Sequence, residues 1–142
     1  MFVDASVIIS ILTNEPDAEN FVKELDKATE KQRFTSALAI WEAIVGLFRK
    51  KKMPMLEAEV QLKDFIELSH IQILPIHMQE TTIALQAFER YGRHRYPDNA
   101  RNNALNLADC FHYASAKINK ISILTKDSGF TFPDIETIGT DF

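Results

Sequence analysis

Four acidic residues of this chain stand where acids are costly. From Ser36 to Phe48, Glu42 is the one charged residue, and Leu38, Ile40, Trp41, Ile44, Val45 and Leu47 leave its surroundings little polar face. Asp109 repeats the pattern between Asn102 and Ala116, beside Leu105, Leu107, Cys110 and Phe111. Asp4 closes the apolar run that begins at Phe2-Val3, and Asp127 comes just after Ile121-Ser122-Ile123-Leu124-Thr125-Lys126. A buried carboxylate must be neutralised, hydrogen-bonded or bound to metal. Four in one pocket repel each other, and a hard divalent cation resolves that repulsion; oxygen ligands select Mg2+ or Mn2+. The chemistry such a cluster supports is metal-assisted hydrolysis. Each acid alone has a plainer reading. Asp4 can cap the helix that follows, Asp127 can be a turn residue in Thr-Lys-Asp-Ser-Gly, and Glu42 and Asp109 can pair with buried cations.

Cationic residues gather in two places. Arg90, Arg93, Arg95 and Arg101 surround a polar loop just before Asp109, with Tyr91 and Tyr96 among them. Such a patch beside an acidic site can hold a nucleic-acid backbone while the tyrosines stack on unpaired bases, or it can be a solvated loop with no partner. The run Arg49-Lys50-Lys51-Lys52 lies at a helix C-terminus, where positive charge is favourable anyway, and reads as a solvated end. His70, His77, His94 and His112 are dispersed without zinc-ligand spacing. His112 falls three residues after Asp109, on roughly the same helix face, and could touch the site, though a packed or surface histidine is the plainer reading. Cys110 reads as a buried structural thiol and Trp41 as core.

Strands and helices alternate along the chain. A short strand ends near Asp4, and a short helix follows until Asn14-Glu15-Pro16-Asp17 breaks it. Phe21, Val22 and Leu25 mark the next helix by their spacing. Phe34 marks a short strand, and Thr35-Ser36 caps a helix over 37–50. Met53-Pro54 interrupts. A helix over 56–68 is expected to bury Val60, Leu62, Phe65 and Ile66. A strand over 71–76, a helix over 79–91, a polar loop over 92–103, a helix over 105–118 and strands over 121–124 and 135–138 complete the order. This alternation predicts an α/β domain with a mostly parallel sheet, in which sites lie beyond the carboxyl ends of the strands. Asp4 and Asp127 both fall at such ends.

The 142 residues, 46% of them hydrophobic, suit one domain with one core. The single cysteine excludes an intrachain disulfide and points to a reducing cytosol. Residues 1–12 lack a basic leader and read as strand and helix rather than a signal peptide. No run approaches a membrane span, so a soluble, cytoplasmic protein without membrane contact is expected. The net charge of −4 argues against whole-surface binding to nucleic acid and leaves only local patches for it.

Phe2-Val3-Asp4-Ala5-Ser6-Val7-Ile8-Ile9 resembles the opening strand and turn of PIN domains. Thr35-Ser36-Ala37 through Trp41-Glu42 resembles their second acidic position, and Leu107-Ala108-Asp109-Cys110-Phe111 through Ala114 the third. Leu124-Thr125-Lys126-Asp127-Ser128-Gly129-Phe130 resembles the fourth, with its Thr-x-Asp-x-x-Phe pattern. The ordered set spans nearly the whole chain. Its length and its Glu15-Pro16 are most similar to VapC-like toxins of toxin–antitoxin pairs. One departure is mild: Ala108 stands where many relatives carry glycine. The resemblance implies a single PIN-like domain over 1–142 with a three-layer α/β/α fold. It implies Mg2+-dependent endoribonuclease activity, a cognate antitoxin and a homodimer. Asp4, Glu42, Asp109 and Asp127 inherit the site, Asp4 and Asp109 as metal ligands, with Ser6 and Thr125 at the auxiliary hydroxyl positions.

Three other readings compete. An aspartyl phosphotransferase would carry a second acid two residues after Asp4, where Ser6 stands. A receiver-like phospho-acceptor would place an aspartate at the end of the third strand, and residues 71–77 hold none. A non-catalytic PIN-like domain would bind RNA or a partner, but all four acids are present.

Overall fold

The computed structural model describes residues 1–131 and 134–142. Strand β1 (Phe2–Val3) leads through Asp4 into α1 (Ala5–Leu12), and α2 (Ala18–Lys27) follows the Glu15-Pro16 break. Then come β2 (Phe34–Ser36), α3 (Ala37–Lys50), α4 (Met55–Leu68), β3 (Gln72–Leu74) and α5 (Met78–Tyr91). The chain ends with α6 (Leu107–Asn119), β4 (Ile123–Leu124) and β5 (Thr137–Ile138).

The five strands form one sheet in the order β3-β2-β1-β4-β5, and every pairing is parallel. Successive strand residues point to opposite faces, and the two central strands show it. Val3 and Leu124 join Ile8, Phe21, Leu47 and Leu62 in one core beneath α1 to α4. Phe2 and Ile123 join Ala84, Leu105 and Tyr113 in the other, beneath α5 and α6. The result is the expected three-layer α/β/α arrangement. Strand order reverses beside β1: β2 and β3 lie on one side, β4 and β5 on the other. In open parallel sheets that reversal opens a crevice beyond the carboxyl ends of the strands, here between the residues after β1 and those after β4.

Local chemistry sets the helix starts that matter. Ser36 Oγ accepts the Ala39 N–H at 3.1 Å and caps α3. Asn106 and Asp109 form a reciprocal capping box, so α6 starts at Leu107, later than expected. Three further expectations need correction. Val60 is 50% exposed, because Ala58, Leu62 and Ile66 set the buried face of α4 and residue 60 turns away from it. The loop over 92–103 is not structureless: it holds two 3-10 turns, Arg93–Arg95 and Asp98–Asn103. β3 is a short edge strand with Ile73 exposed, and its ladder stops at Leu74. No helix among the described residues is long and apolar enough to cross a membrane.

Candidate active site

Asp4 occupies the junction of β1 and α1 and is buried. Its Oδ1 accepts the Ala5 N–H at 2.8 Å, which caps α1. Its Oδ2 accepts two hydroxyls, Ser6 Oγ at 2.8 Å and Thr125 Oγ1 at 2.7 Å. Those hydroxyls accept in turn: Ser6 from the Lys126 N–H at 3.2 Å, Thr125 from the Asp127 N–H at 3.0 Å. The helix-cap reading of Asp4 is therefore correct and incomplete. A cap needs one oxygen, and here the second is held from two sides, one of them across the β1–β4 crevice.

The other acids arrive on separate elements. Asp127 follows β4, and its Oδ1 accepts the Gly129 N–H at 2.8 Å, so it is also the turn residue its sequence suggests. Asp109 lies in the first turn of α6; its Oδ2 accepts the Asn106 N–H at 3.0 Å, and no donor among the described residues reaches Oδ1. Glu42, on α3, is less buried than its apolar neighbours suggest, with 23% of its side chain exposed. All four acids line one cleft of about 570 Å³, together with Ser6, Ile9, Trp41, Val45, Arg49, Lys50 and Asn106.

Electrostatics in the cleft follow from burial and crowding. Desolvation, then the charges of Asp4 and Asp127, push the Asp109 carboxyl up to about 7, against the Asn106 N–H and His112, which oppose the rise. Burial and the Asp4 charge also raise Asp127. The neighbouring Cys110 thiol is pushed up to about 11 by burial and by Asp109, so it stays protonated and packs in the α5–α6 core.

His112 is packed, as expected, and it also touches the site. It is fully buried against the Phe2 ring, and its Nε2 lies 2.5 Å from Glu42 Oε1 and 3.8 Å from Asp4 Oδ1. Its buried Nδ1 has no partner among the described residues. A bare ring nitrogen tolerates this better than an N–H does, so Nε2 carries the hydrogen and donates to Glu42. Desolvation opposes a charge on this ring, yet the hydrogen bond to Glu42 and the nearby acids outweigh it, and its pKa lies above the usual value. The three-residue offset from Asp109 was the available signal; what it could not show is that α3 crosses close enough for contact.

Two more readings change. Trp41 is not core: it is 62% exposed on the cleft wall. Arg49 and Lys50 do more than end α3, since both line the cleft. Arg90, in the last turn of α5, and the loop residues Arg93, Arg95 and Arg101 are exposed and outside the cleft lining. Arg95 Nε donates to the Glu89 carbonyl at 2.8 Å, and Arg101 pairs with Asp98 at 2.8 Å.

The donor set fits a divalent cation. Carboxylate oxygens of Asp4 and Glu42 lie within 4.8 Å of each other and of His112 Nε2, and burial, with the charges of Asp4 and Asp127, raises the Asp109 carboxyl that faces the same cleft. Acids gathered at the switch point of a helix-flanked parallel sheet define an acidic nuclease class. The family model of the PIN domain matches residues 1–135. A VapC ribonuclease of Rhizobium meliloti (strain 1021) is 34% identical over 145 residues, spanning 94% of this chain and 98% of that protein. Ribonuclease VapC30 of Mycobacterium tuberculosis (strain ATCC 25618 / H37Rv) is 26% identical over 138 residues, spanning 97% and 98%. The chain thus belongs to the PIN-domain family, among its VapC ribonucleases. Solved structures share the fold. FitAcB from Neisseria gonorrhoeae matches with a TM-score of 0.70 at 22% identity, covering 97% of this chain and 96% of that one. A toxin–antitoxin complex from Klebsiella pneumoniae matches at 0.65 and 18%, covering 94% and 93%.

Proposed function

We propose that this chain is a metal-dependent endoribonuclease and the toxin of a toxin–antitoxin pair, hydrolysing RNA phosphodiester bonds at Asp4, Glu42, Asp109 and Asp127. The observation that carries the reading is the cleft, where acids from four separate elements line one cavity. Asp4 and Asp109 would hold the cation, Mg2+ or Mn2+, with Asp127 completing the cluster; Glu42, held by His112, lies close to Asp4. The chemistry a divalent cation supplies when bound is polarisation of the phosphate and acidification of a water molecule. Glu42 accepts the proton of the attacking water at Oε2, because Oε1 is taken by His112. Ser6 and Thr125 keep the Asp4 carboxylate in one orientation. Asp4→Asn and Asp109→Asn are expected to abolish cleavage while leaving the fold intact. Wild-type rates from both variants in a metal-titrated RNA cleavage assay would overturn the assignment.

Relatives named as ribonucleases support the RNA substrate, and a neighbour solved as a toxin–antitoxin complex supports the antitoxin. An antitoxin segment bearing Arg or Lys would find its charge complement in the cleft. The homodimer is supported by an apolar groove of about 270 Å³ between α5 and α6, lined by Leu85, Phe88, Leu107 and Phe111. Arg90, Arg93, Arg95 and Arg101 extend backbone contact beyond the cleft, and a cytoplasmic site of action accords with RNA as substrate.

A further inference from the structure

Trp41 offers the cleft something none of the acids supplies. It is the one tryptophan of the chain, and it stands exposed on the wall of the cavity that holds Glu42. An indole left in water on a cleft wall keeps a large flat face available for a ligand. Further along the same helix, Arg49 and Lys50 line the same cavity. Seven residues separate Glu42 from Arg49, two helical turns on one face and roughly 10 Å of rise. Among the described residues neither Arg49 nor Lys50 has a salt-bridge partner, whereas the next cation, Lys51, is held by Glu15 at 3.0 Å. The half of α3 that borders the cleft therefore presents an aromatic ring and an acid near its start and two cations free of salt bridges at its end.

We propose that α3 is a track for single-stranded RNA, with an unpaired base stacked on Trp41 and a backbone phosphate held by Arg49 and Lys50. The proposal rests on the ribonuclease reading and names the subsite that reading lacks. Base–aromatic stacking tolerates any base, and the two cations hold phosphate without reading sequence. A duplex does not suit the subsite, since its bases are already stacked on each other. A basic peptide finds its complement at the acids, whereas the Arg49 and Lys50 end of the cleft suits a phosphate.

Indole emission reports position 41 alone, which makes the test direct. Binding is measured on the Asp109→Asn chain, so that the strand survives. Oligoadenylate is expected to quench the emission and inorganic polyphosphate to leave it unchanged. In cleavage by the otherwise native protein, Trp41→Ala is expected to raise KM about tenfold, with kcat within about threefold, and Trp41→Phe to recover most of the loss. Metal-free melting temperatures of both variants check that the fold is kept. Equal quenching by polyphosphate, or an unchanged KM in Trp41→Ala, overturns the track and leaves the ribonuclease reading standing. An unchanged KM together with lost affinity for a partner protein assigns this face to that partner instead. A native chain that cuts no RNA with either Mg2+ or Mn2+ removes both the reading and the track.

Discussion

Asp109 must hold charge in a place that resists it. Its pKa of about 7 lies above the unfolded value near 4, so the unfolded chain ionises first. The metal-free fold is unburdened below pH 4, loses stability as pH rises, and carries the full deficit, up to about 4 kcal/mol, above pH 7. Melting followed from pH 4 to 8 is expected to show the native protein declining and Asp109→Asn declining far less. Added divalent cation should restore the native protein at pH 8 and leave the variant little changed. Parallel curves for the two proteins would refute this account of the cleft. Glu42 poses a different question, because His112 is its one hydrogen-bond partner among the described residues. His112→Ala is expected to lower kcat about tenfold with KM unchanged, and His112→Gln, which keeps an N–H donor, to recover part of it. In a Glu42→Ala background the same substitution should change kcat less than about twofold, since the group it holds is gone. Independent, multiplying effects would show that His112 acts on something else. The four acids were legible one by one, because a carboxylate in an apolar run calls for an explanation. His112 was not, because its partner lies 70 residues away.

At the scale of elements, α3 carries much of the site and was also the most misread. Its apolar residues nearly encircle it, and such a helix is normally buried on all sides. One stripe of α3 instead borders a cleft, so Trp41 is exposed while Ala39, Ala43 and Leu47 are buried. Its cationic end satisfies the helix dipole and also lines the cavity, and the helix pattern shows only the first of these. The resulting expectation concerns salt. Each phosphate contact adds about 0.7 to the slope of log affinity against log salt for a single strand. Replacing Arg49 and Lys50 by alanine, which removes the one phosphate contact they share, should flatten that slope by about 0.7. Replacing Arg93 and Arg95 should flatten it less, since they lie outside the cleft lining. The reverse order would move the RNA path onto the loop. The Glu15-Pro16-Asp17 break has its own task at this scale: Lys126 Nζ bonds Glu15 at 2.5 Å and Asp17 at 2.9 Å. That pair of contacts ties the turn after α1 to the segment carrying Asp127.

For the whole molecule, topology gathers the site and leaves one apolar face uncovered. Leu85 and Leu107 are mostly exposed beside the α5–α6 groove, on the side of the sheet away from α1 to α4. If a second copy covers this groove, Leu85→Glu together with Leu107→Glu should convert the dimer to a monomer in light scattering at micromolar concentration. A native chain that is already monomeric there would refute the interface. The order of strands and helices, the cap at Ser36 and the identity of the unusual acids were all determined by the sequence. Periodicity, capping and the cost of isolated charge are local properties that a chain carries with it. Tertiary structure alone decided that β4 lies next to β1, which brings Thr125 onto Asp4 across 121 residues. It also decided that α6 meets α3, which joins His112 to Glu42, and that one flank of α3 faces a cleft and exposes Trp41. These outcomes depend on which elements pack together, and no local pattern encodes that pairing.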